Sequence, residues 1–446
     1  MRENRTSGSV RGSRQAFHKE ITPKGVSRLS TRLREMKQKL WTRNFTLVTV
    51  ASALGAIGGI TGGFALSFLV FDETGSTLAS ALILAIQLVP YFVLPLIVAP
   101  WMDRMPRKPF LVGGDLLNGV LYALAGLYLL FFKFSYVGYL GFSLLLSSLG
   151  AFDELAYNSI YPKLIPEGME QKGYTVSSML YPVLKVVMMP VAAVLFEWLG
   201  VAWLLMIQAG LSVLAALVES RIRIVEERRM DGERFSLRLW WSDIKEAARY
   251  LRQERGLRNI YGYMAITNGV GNGYGPLLVA FFRTTPGFSA AMYSLFSVAE
   301  FLGRSIGGAV QYRMKLAPKK KFGFTFGVYQ FYEVMDMSLL WLPYPLMLVN
   351  RACAGFFGIN SATMRQAAVQ RYIPEHLRAR VNAFESMCIT ASCSVMSLTI
   401  GALGEVLDYR LCVTLGAAFS LVCCWLTIWR SRKSIRPIYE SGESFV

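Results

Sequence analysis

Apolar runs of membrane-crossing length follow one another through most of the chain, near residues 46–70, 78–100, 111–131, 136–155, 177–197, 201–219, 258–281, 288–311, 323–342, 346–368, 382–405 and 409–430. A hydrocarbon layer about 30 Å thick takes roughly 20 helical residues at about 1.5 Å of rise each, so each run is one span. Lipid offers the backbone no hydrogen-bond partners, and spans of this length must therefore be helices. Of the 446 residues, 53% are hydrophobic and 17% charged, which lies outside the balance of a soluble globular domain. The expected fold is an all-α membrane protein of twelve transmembrane helices.

The spans repeat at half the chain length. Ala99-x-x-x-Asp103-Arg104 falls opposite Gly307-x-x-x-Gln311-Tyr312, and Ile165-Pro166-Glu167 with Ser178-Met179 falls opposite Ile373-Pro374-Glu375 with Ser386-Met387. Two unrelated signatures share one offset, so the twelve spans read as two pseudo-symmetric six-helix bundles, the plan of a secondary transporter. The division is a basic tail over 1–44, a first bundle over 45–219, a linker over 220–257, a second bundle over 258–430 and a short tail over 431–446.

A net charge of +18 would point to nucleic acid in a soluble chain. Here the cations are sorted by side. Arg104, Arg107, Lys108, Lys163, Lys172, Arg313, Lys315, Lys319, Lys320, Lys321, Arg371, Arg378, Arg380, Arg430, Arg432 and Lys433 lie on the side of the linker, against Lys133, Arg283 and Arg410 on the other. This positive-inside asymmetry places both termini in the cytoplasm and makes the lipid bilayer, not nucleic acid, the partner. The six cysteines, Cys353, Cys388, Cys393, Cys412, Cys423 and Cys424, all fall in spans of the second half and act there as small apolar residues. Neither metal-ligand spacing nor a GxxxxGK[ST] loop occurs, so no cofactor is expected and no nucleotide is hydrolysed at a Walker site. The polar, basic start of the chain predicts no cleavable signal peptide.

Residues 1–29 have the composition of a disordered tail, and 30–43 read as a basic surface helix or more of the same solvated tail. In the linker, Leu237, Trp240 or Trp241, Ile244, Ala248 and Leu251 recur at helical spacing among Arg, Lys and Glu. They predict an amphipathic helix lying under the membrane and tying the bundles together. Gly55, Gly58, Gly59, Gly62 and Gly63 in span 1, and Gly269, Gly271, Gly273 and Gly275 in span 7, permit either close helix packing or an unobstructed cavity wall.

At this level of detail the residues resemble the major facilitator superfamily, in particular its branch of bacterial drug and siderophore exporters. The likeness rests on Phe71-Asp72-Glu73-Thr74-Gly75-Ser76 after span 1, Pro90 in span 2, Gly114-Asp115-Leu116-Leu117 after the basic hinge, and Val369-Gln370-Arg371-Tyr372-Ile373-Pro374-Glu375-His376-Leu377-Arg378-Ala379-Arg380-Val381 between spans 10 and 11. It covers nearly the whole chain. Ala99 and Pro106 replace glycines usual in the superfamily hinge, and Gly59 stands where many relatives carry an acid in span 1.

Charged groups supply the candidate machinery. An aspartate at a helix junction can face the positive end of a neighbouring helix while arginines engage carboxylates, which makes the hinge Asp103, Arg104, Arg107 and Lys108 a candidate gating latch. The resemblance implies that Asp103 meets the start of span 11 near Asn382, and that Arg107 reaches Asp115 or the Asp153-Glu154 pair. Within the spans a charge needs a partner. Glu300 and Arg304, four residues apart on span 8, share a face, and Lys185 on span 5 lies at a comparable depth. The superfamily plan implies that these two spans touch, which makes Lys185, Glu300 and Arg304 candidates for proton coupling or, equally, for a structural cluster. Glu333 and Asp336 on span 9, with Arg351 on span 10, read as a structural ion pair. Gln87, Asn268, Asn272 and Asn360 are candidate cavity residues or interhelical hydrogen bonds.

The expected function is export of a small amphipathic molecule by alternating access in exchange for protons, performed by a monomer in the cell membrane. An importer or lysolipid flippase of the same fold, and a transport-inactive sensor acting through its basic tail, are the alternatives. A membrane-embedded enzyme is disfavoured, because His18 and His376 both fall in loops and no nucleophile, base and metal constellation is visible.

Overall fold

The computed structural model describes residues 40–102, 106–166, 169–224, 237–313, 316–440. The hinge residues Asp103 and Arg104 and nearly all of the basic tail lie outside them. Residues 40–42, the last of the expected tail helix, are not helical.

Six helices make the first bundle: α1 (Arg43–Thr74), α2 (Thr77–Met102), α3 (Lys108–Phe131), α4 (Tyr136–Leu164), and then Glu170–Ser220, which turns back on itself at Gly200. Gly200 sits at φ 75°, a conformation that side chains resist, so the segment is two crossings, α5 (170–199) and α6 (201–220). Thr42 caps α1 through its side chain, and Gly75, at φ 63°, ends it. The second bundle comprises α8 (Arg255–Thr284), α9 (Ala290–Arg313), α10 (Pro318–Ser338), α11 (Tyr344–Tyr372), α12 (Glu375–Leu403) and α13 (Tyr409–Cys424), which continues as a π-helical turn through Trp429. The twelve expected spans are thus twelve helices.

Among the described residues, five stretches combine the length and hydropathy to cross a membrane unaided: Arg43–Thr74, Lys108–Phe131, Lys172–Ser220, Arg380–Leu403 and Tyr409–Trp429. α8 and α11, which line the polar interior, do not reach that hydropathy. Outward-facing side chains such as Leu124, Val187, Ile306, Val395 and Val422 are exposed, a girdle that only lipid would cover.

The linker helix, α7 (Leu237–Gln253), packs on α8 and α12. Arg380 of α12 reaches Glu246 at 2.6 Å, and Ala247 and Leu251 are buried. It therefore braces the second bundle, a correction to the bridging role expected from its amphipathic pattern. A last helix, α14 (Arg432–Glu440), folds back beneath the same bundle and buries Ile435, Ile438 and Tyr439. Start, linker and end of the described chain share one face, here called the linker face. There Asn44 exchanges hydrogen bonds with the backbone of Arg223 at 2.7 and 3.2 Å.

Between the bundles, α2 packs along α12 and α5 along α9. The glycine-rich helices serve both expected uses, on alternate faces. Gly58 and Gly62 of α1 lie against Gln208 of α6, and Gly269 and Gly273 of α8 lie against α12, whereas Gly55, Gly59 and Gly271 face open space. The closest crossing is elsewhere, where Gly303 of α9 meets the backbone of Ala352 and Gly355 of α11 meets that of Glu300. Gly303→Ala should cost about 1–3 kcal/mol through overpacking against backbone that cannot move aside. Gly59→Ala should stay within about 0.5 kcal/mol of wild type. Thermal unfolding of the two variants in detergent checks the contrast, and equal melting temperatures would contradict the crossing.

Candidate functional site

A two-lobed cavity separates the bundles. One lobe, about 670 Å³, is walled mainly by α8–α11; the other, about 740 Å³, mainly by α1–α6. Lys185, Asn272, Gly275 and Tyr293 belong to both, so the lobes join at the bundle interface.

The second-bundle lobe holds most of the ionised groups expected in the spans. Arg304 donates to Glu300 through Nε at 3.0 Å and Nη2 at 2.6 Å. Lys185 lines the same lobe, but no ion pair joins it to Glu300. Asp336 pairs with Arg351, and both are buried. Glu333, expected beside them, has a different set of partners: its Oε1 accepts from Tyr263 at 2.9 Å, Thr267 at 2.9 Å and Ser420 at 2.7 Å. Three hydroxyls from α8 and α13 therefore solvate one carboxylate in place of water. Arg365 of α11 also lines this lobe, within electrostatic reach of Glu385 on α12.

Of the amides, Gln87, Asn268 and Asn272 line the cavity, Asn268 also donating to Met264 O at 2.7 Å. Asn360 does not. It is buried, donates to Phe356 O of its own helix at 2.7 Å, and its backbone carbonyl accepts from Gln311. Its placement is a correction to the cavity assignment: at that register α11 turns toward α9, and Gly358, Ile359, Ser361 and Ala362 take the cavity face.

Around the hinge, Arg107 stands at the start of α3, and Lys108 Nζ donates to Ser220 O at 2.7 Å, satisfying a carbonyl at the end of α6. Asn382, the proposed contact of Asp103, exchanges hydrogen bonds with Gln370 at 2.9 and 3.3 Å. Asp115 and Asp153 line a side pocket together with Glu219, a residue the sequence reading passed over because it ends a span beside the linker.

The face remote from the linker is closed by contacts between bundles. Arg283 of α8 grips Asp72 of α1 with two hydrogen bonds of 2.7 Å. Glu405, in the turn after α12, accepts from Ser76 Oγ at 2.7 Å, Leu78 N at 2.8 Å and Thr77 Oγ1 at 3.1 Å, so the carboxylate caps the start of α2. Thr77 Oγ1 further reaches Gly401 O at 2.8 Å. Below this latch Phe64 and Phe68 of α1, Phe196 of α5, Phe282 of α8 and Tyr293 of α9 form a plug, with ring centroids 4.9–6.0 Å apart along the chain of contacts.

The sequence profile of the Major Facilitator Superfamily matches residues 46–329 and 334–444. The chain belongs to that superfamily. Its members' fold is evident in solved structures. A bacterial homologue of the human lysosomal transporter Spinster, inward-facing and unoccupied, aligns with TM-score 0.60 over 89% of this chain and 96% of its own at 14% identity. The nucleoside transporter NupG aligns with TM-score 0.65 over 87% and 99% at 11% identity. A POT family transporter in complex with a thioalcohol-conjugated peptide aligns with TM-score 0.64 over 88% and 96% at 12% identity. Among curated proteins, macrolide efflux protein A of Streptococcus pyogenes is 25% identical over 224 residues, 50% of this chain and 54% of that protein. The chain thus spans about half the length of the curated relative it matches.

Proposed function

We propose that the protein exports a small amphipathic molecule across the cell membrane by alternating access, as a monomer, in exchange for protons. The observation that carries this reading is the cavity between the bundles, latched and plugged on the face remote from the linker. Loaded from the linker face, it would release cargo once the Asp72–Arg283 and Glu405 contacts part. The sorting of lysine and arginine supports a cytoplasmic position for the linker face and both termini. Distant similarity to a macrolide efflux protein supports the outward direction and an apolar, sizeable cargo. Gln87, Asn268 and Asn272 offer it polar contacts among aromatic walls.

For coupling, Glu300 is the favoured residue. It lines the cavity, pairs with an arginine on its own helix, and shares its lobe with Lys185, which approaches from the other bundle. Movement between bundles would change the positive charge and water around this carboxylate, the condition under which a carboxylate takes up and gives back a proton. The hinge residues Asp103, Arg104, Arg107 and Lys108 are assigned to gating at the linker face.

The test is efflux of a macrolide from proteoliposomes under an imposed pH gradient. Glu300→Gln should reduce gradient-driven efflux by about tenfold or more, equivalent to roughly 1.4 kcal/mol of lost coupling, while leaving macrolide binding in place. Full flux with the wild-type dependence on the gradient would exclude Glu300 as the coupling group. Absence of any gradient-driven flux in wild type, at either polarity, would exclude the exporter.

A further inference from the structure

The side pocket of the first bundle has an electrostatic composition unlike the rest of the interior. Asp115 of α3, Asp153 of α4 and Glu219 at the end of α6 face a space of about 490 Å³. Glu219 is only 4% exposed, and its Oε2 has no partner; Asp153 Oδ1 is also buried and unpartnered. Glu154 stands at the rim, and no lysine or arginine among the described residues lines the space. The second bundle differs: Glu300 and Asp336 each have an arginine, and Glu333 has three hydroxyl donors. Among the described residues, only here does a buried carboxylate lie with two half-buried ones and without donors. Carboxylates held out of water with no opposite charge are unfavourable as anions, so they either hold a proton or take a cationic partner.

The remaining walls indicate what kind. Tyr91, Tyr157 and Tyr181 contribute aromatic rings, and Gly55 and Gly59 of α1 leave the opposite side open, since a Cβ added at either would meet nothing within 4 Å. Aromatic faces beside carboxylates hold organic ammonium and other diffuse cations. A bare metal ion fits less well, because no group of three or more ligating side chains converges among the described residues.

We propose that this pocket binds the cationic end of an amphipathic organic cation. The pocket shares Gly55, Gly59, Tyr91, Gly150 and Tyr181 with the larger lobe, so the apolar body of such a molecule extends into the main cavity. Glu219 ends its helix at the linker face, and Asp115 lies seven residues into α3 from that same face, about 10 Å of rise. Cargo entering from there meets the carboxylates first. That the bound cation is cargo rests on the exporter reading; that the pocket binds cations does not.

The experiment is calorimetric titration of the purified full chain in detergent with tetraphenylphosphonium and with neutral triphenylphosphine oxide. Wild type should bind the cation at least about tenfold more tightly than the neutral analogue, as expected for loss of one charge-assisted contact. Glu219→Gln, and the Asp115→Asn/Asp153→Asn double variant, should each reduce cation affinity by about tenfold and leave the neutral analogue unaffected. Thermal unfolding of the same samples confirms that they are folded. Unchanged affinity in folded variants, equal binding of the two probes, or no saturable binding to wild type each overturns the proposal. Binding that appears only after Arg104→Ala and Arg107→Ala would make a hinge guanidinium the resident cation and overturn it too. Because the assay involves no transport, cation binding without flux would discard the exporter and keep the pocket, and flux without binding the reverse.

Discussion

Arg351→Met is expected to lower stability by about 3–5 kcal/mol, because it leaves Asp336 as an unpaired charge in the bundle interior. Arg351 and Asp336 are buried on facing helices, α11 and α10, and their side chains form a direct ion pair. Glu300 lies within electrostatic reach of both, so removing the guanidinium exposes the aspartate to a second negative charge as well. The matching double replacement, Asp336→Leu with Arg351→Met, should recover most of the loss, since two apolar side chains have no desolvation cost to recover. The protein supplies its own reporter: Cys412 and Cys424 are buried free thiols that a thiol-reactive dye reaches only on unfolding. A melting temperature unmoved by Arg351→Met would show that the pair does not hold the bundle.

The second large effect concerns the closed face. Glu405→Ala combined with Asp72→Asn should shift the protein toward conformations open on that face by about 1–2 kcal/mol, a five- to thirtyfold change in population after allowance for solvent screening. Spin labels placed on the far ends of α2 and α12 would report it as a longer distance, and an unchanged distance distribution would remove the latch from the mechanism. The latch also carries a pH signature. Burial pushes the Glu405 carboxyl up, but hydrogen bonds from Leu78 N, Ser76 and Thr77 outweigh it and hold the group below the usual glutamate range. A lowered folded-state value means that the contribution is fully present above the ordinary glutamate range near pH 4.3 and is lost as pH falls through the lower value. The far face should therefore stay latched at neutral pH and loosen only in strong acid. Loosening near pH 6–7 would assign the response to other groups.

Much of this architecture was legible in the residues because lipid imposes a crude rule. A span needs apolar length, and twelve runs of that length became twelve helices, even where α5 and α6 join through a single turn residue, Gly200. The 3.6-residue pattern likewise located α7. What pattern alone could not supply was the neighbour. Ala247 and Leu251 settle α7 on α12, not between the bundles, because a moment gives direction without a partner. Asn360 and Asn268 look alike in sequence, yet a modest difference in helix orientation places one in packing and the other on the cavity wall. Glu219 and Glu405 were passed over for the same reason: each ends a span, where acids are ordinarily solvated, and only tertiary contact makes one buried and the other a cap. The Lys185, Glu300 and Arg304 grouping was half visible, since the i, i+4 pair is local and the approach of Lys185 depends on how α5 meets α9.

The two helices that lie outside the spans, α7 and α14, are both fastened to the second bundle. Gly256 at the root of α8 leaves room only for the backbone of Ser434, and Tyr439 reaches Tyr329 of α10 at 3.4 Å. Among the described residues the first bundle has no comparable strapping. Duplication gave the halves one path through the membrane but not one rigidity. In a working cycle the second half is then the stiff jaw and the first the yielding one, and fluorophores carried on α1–α6 should travel further per turnover than those on α8–α13.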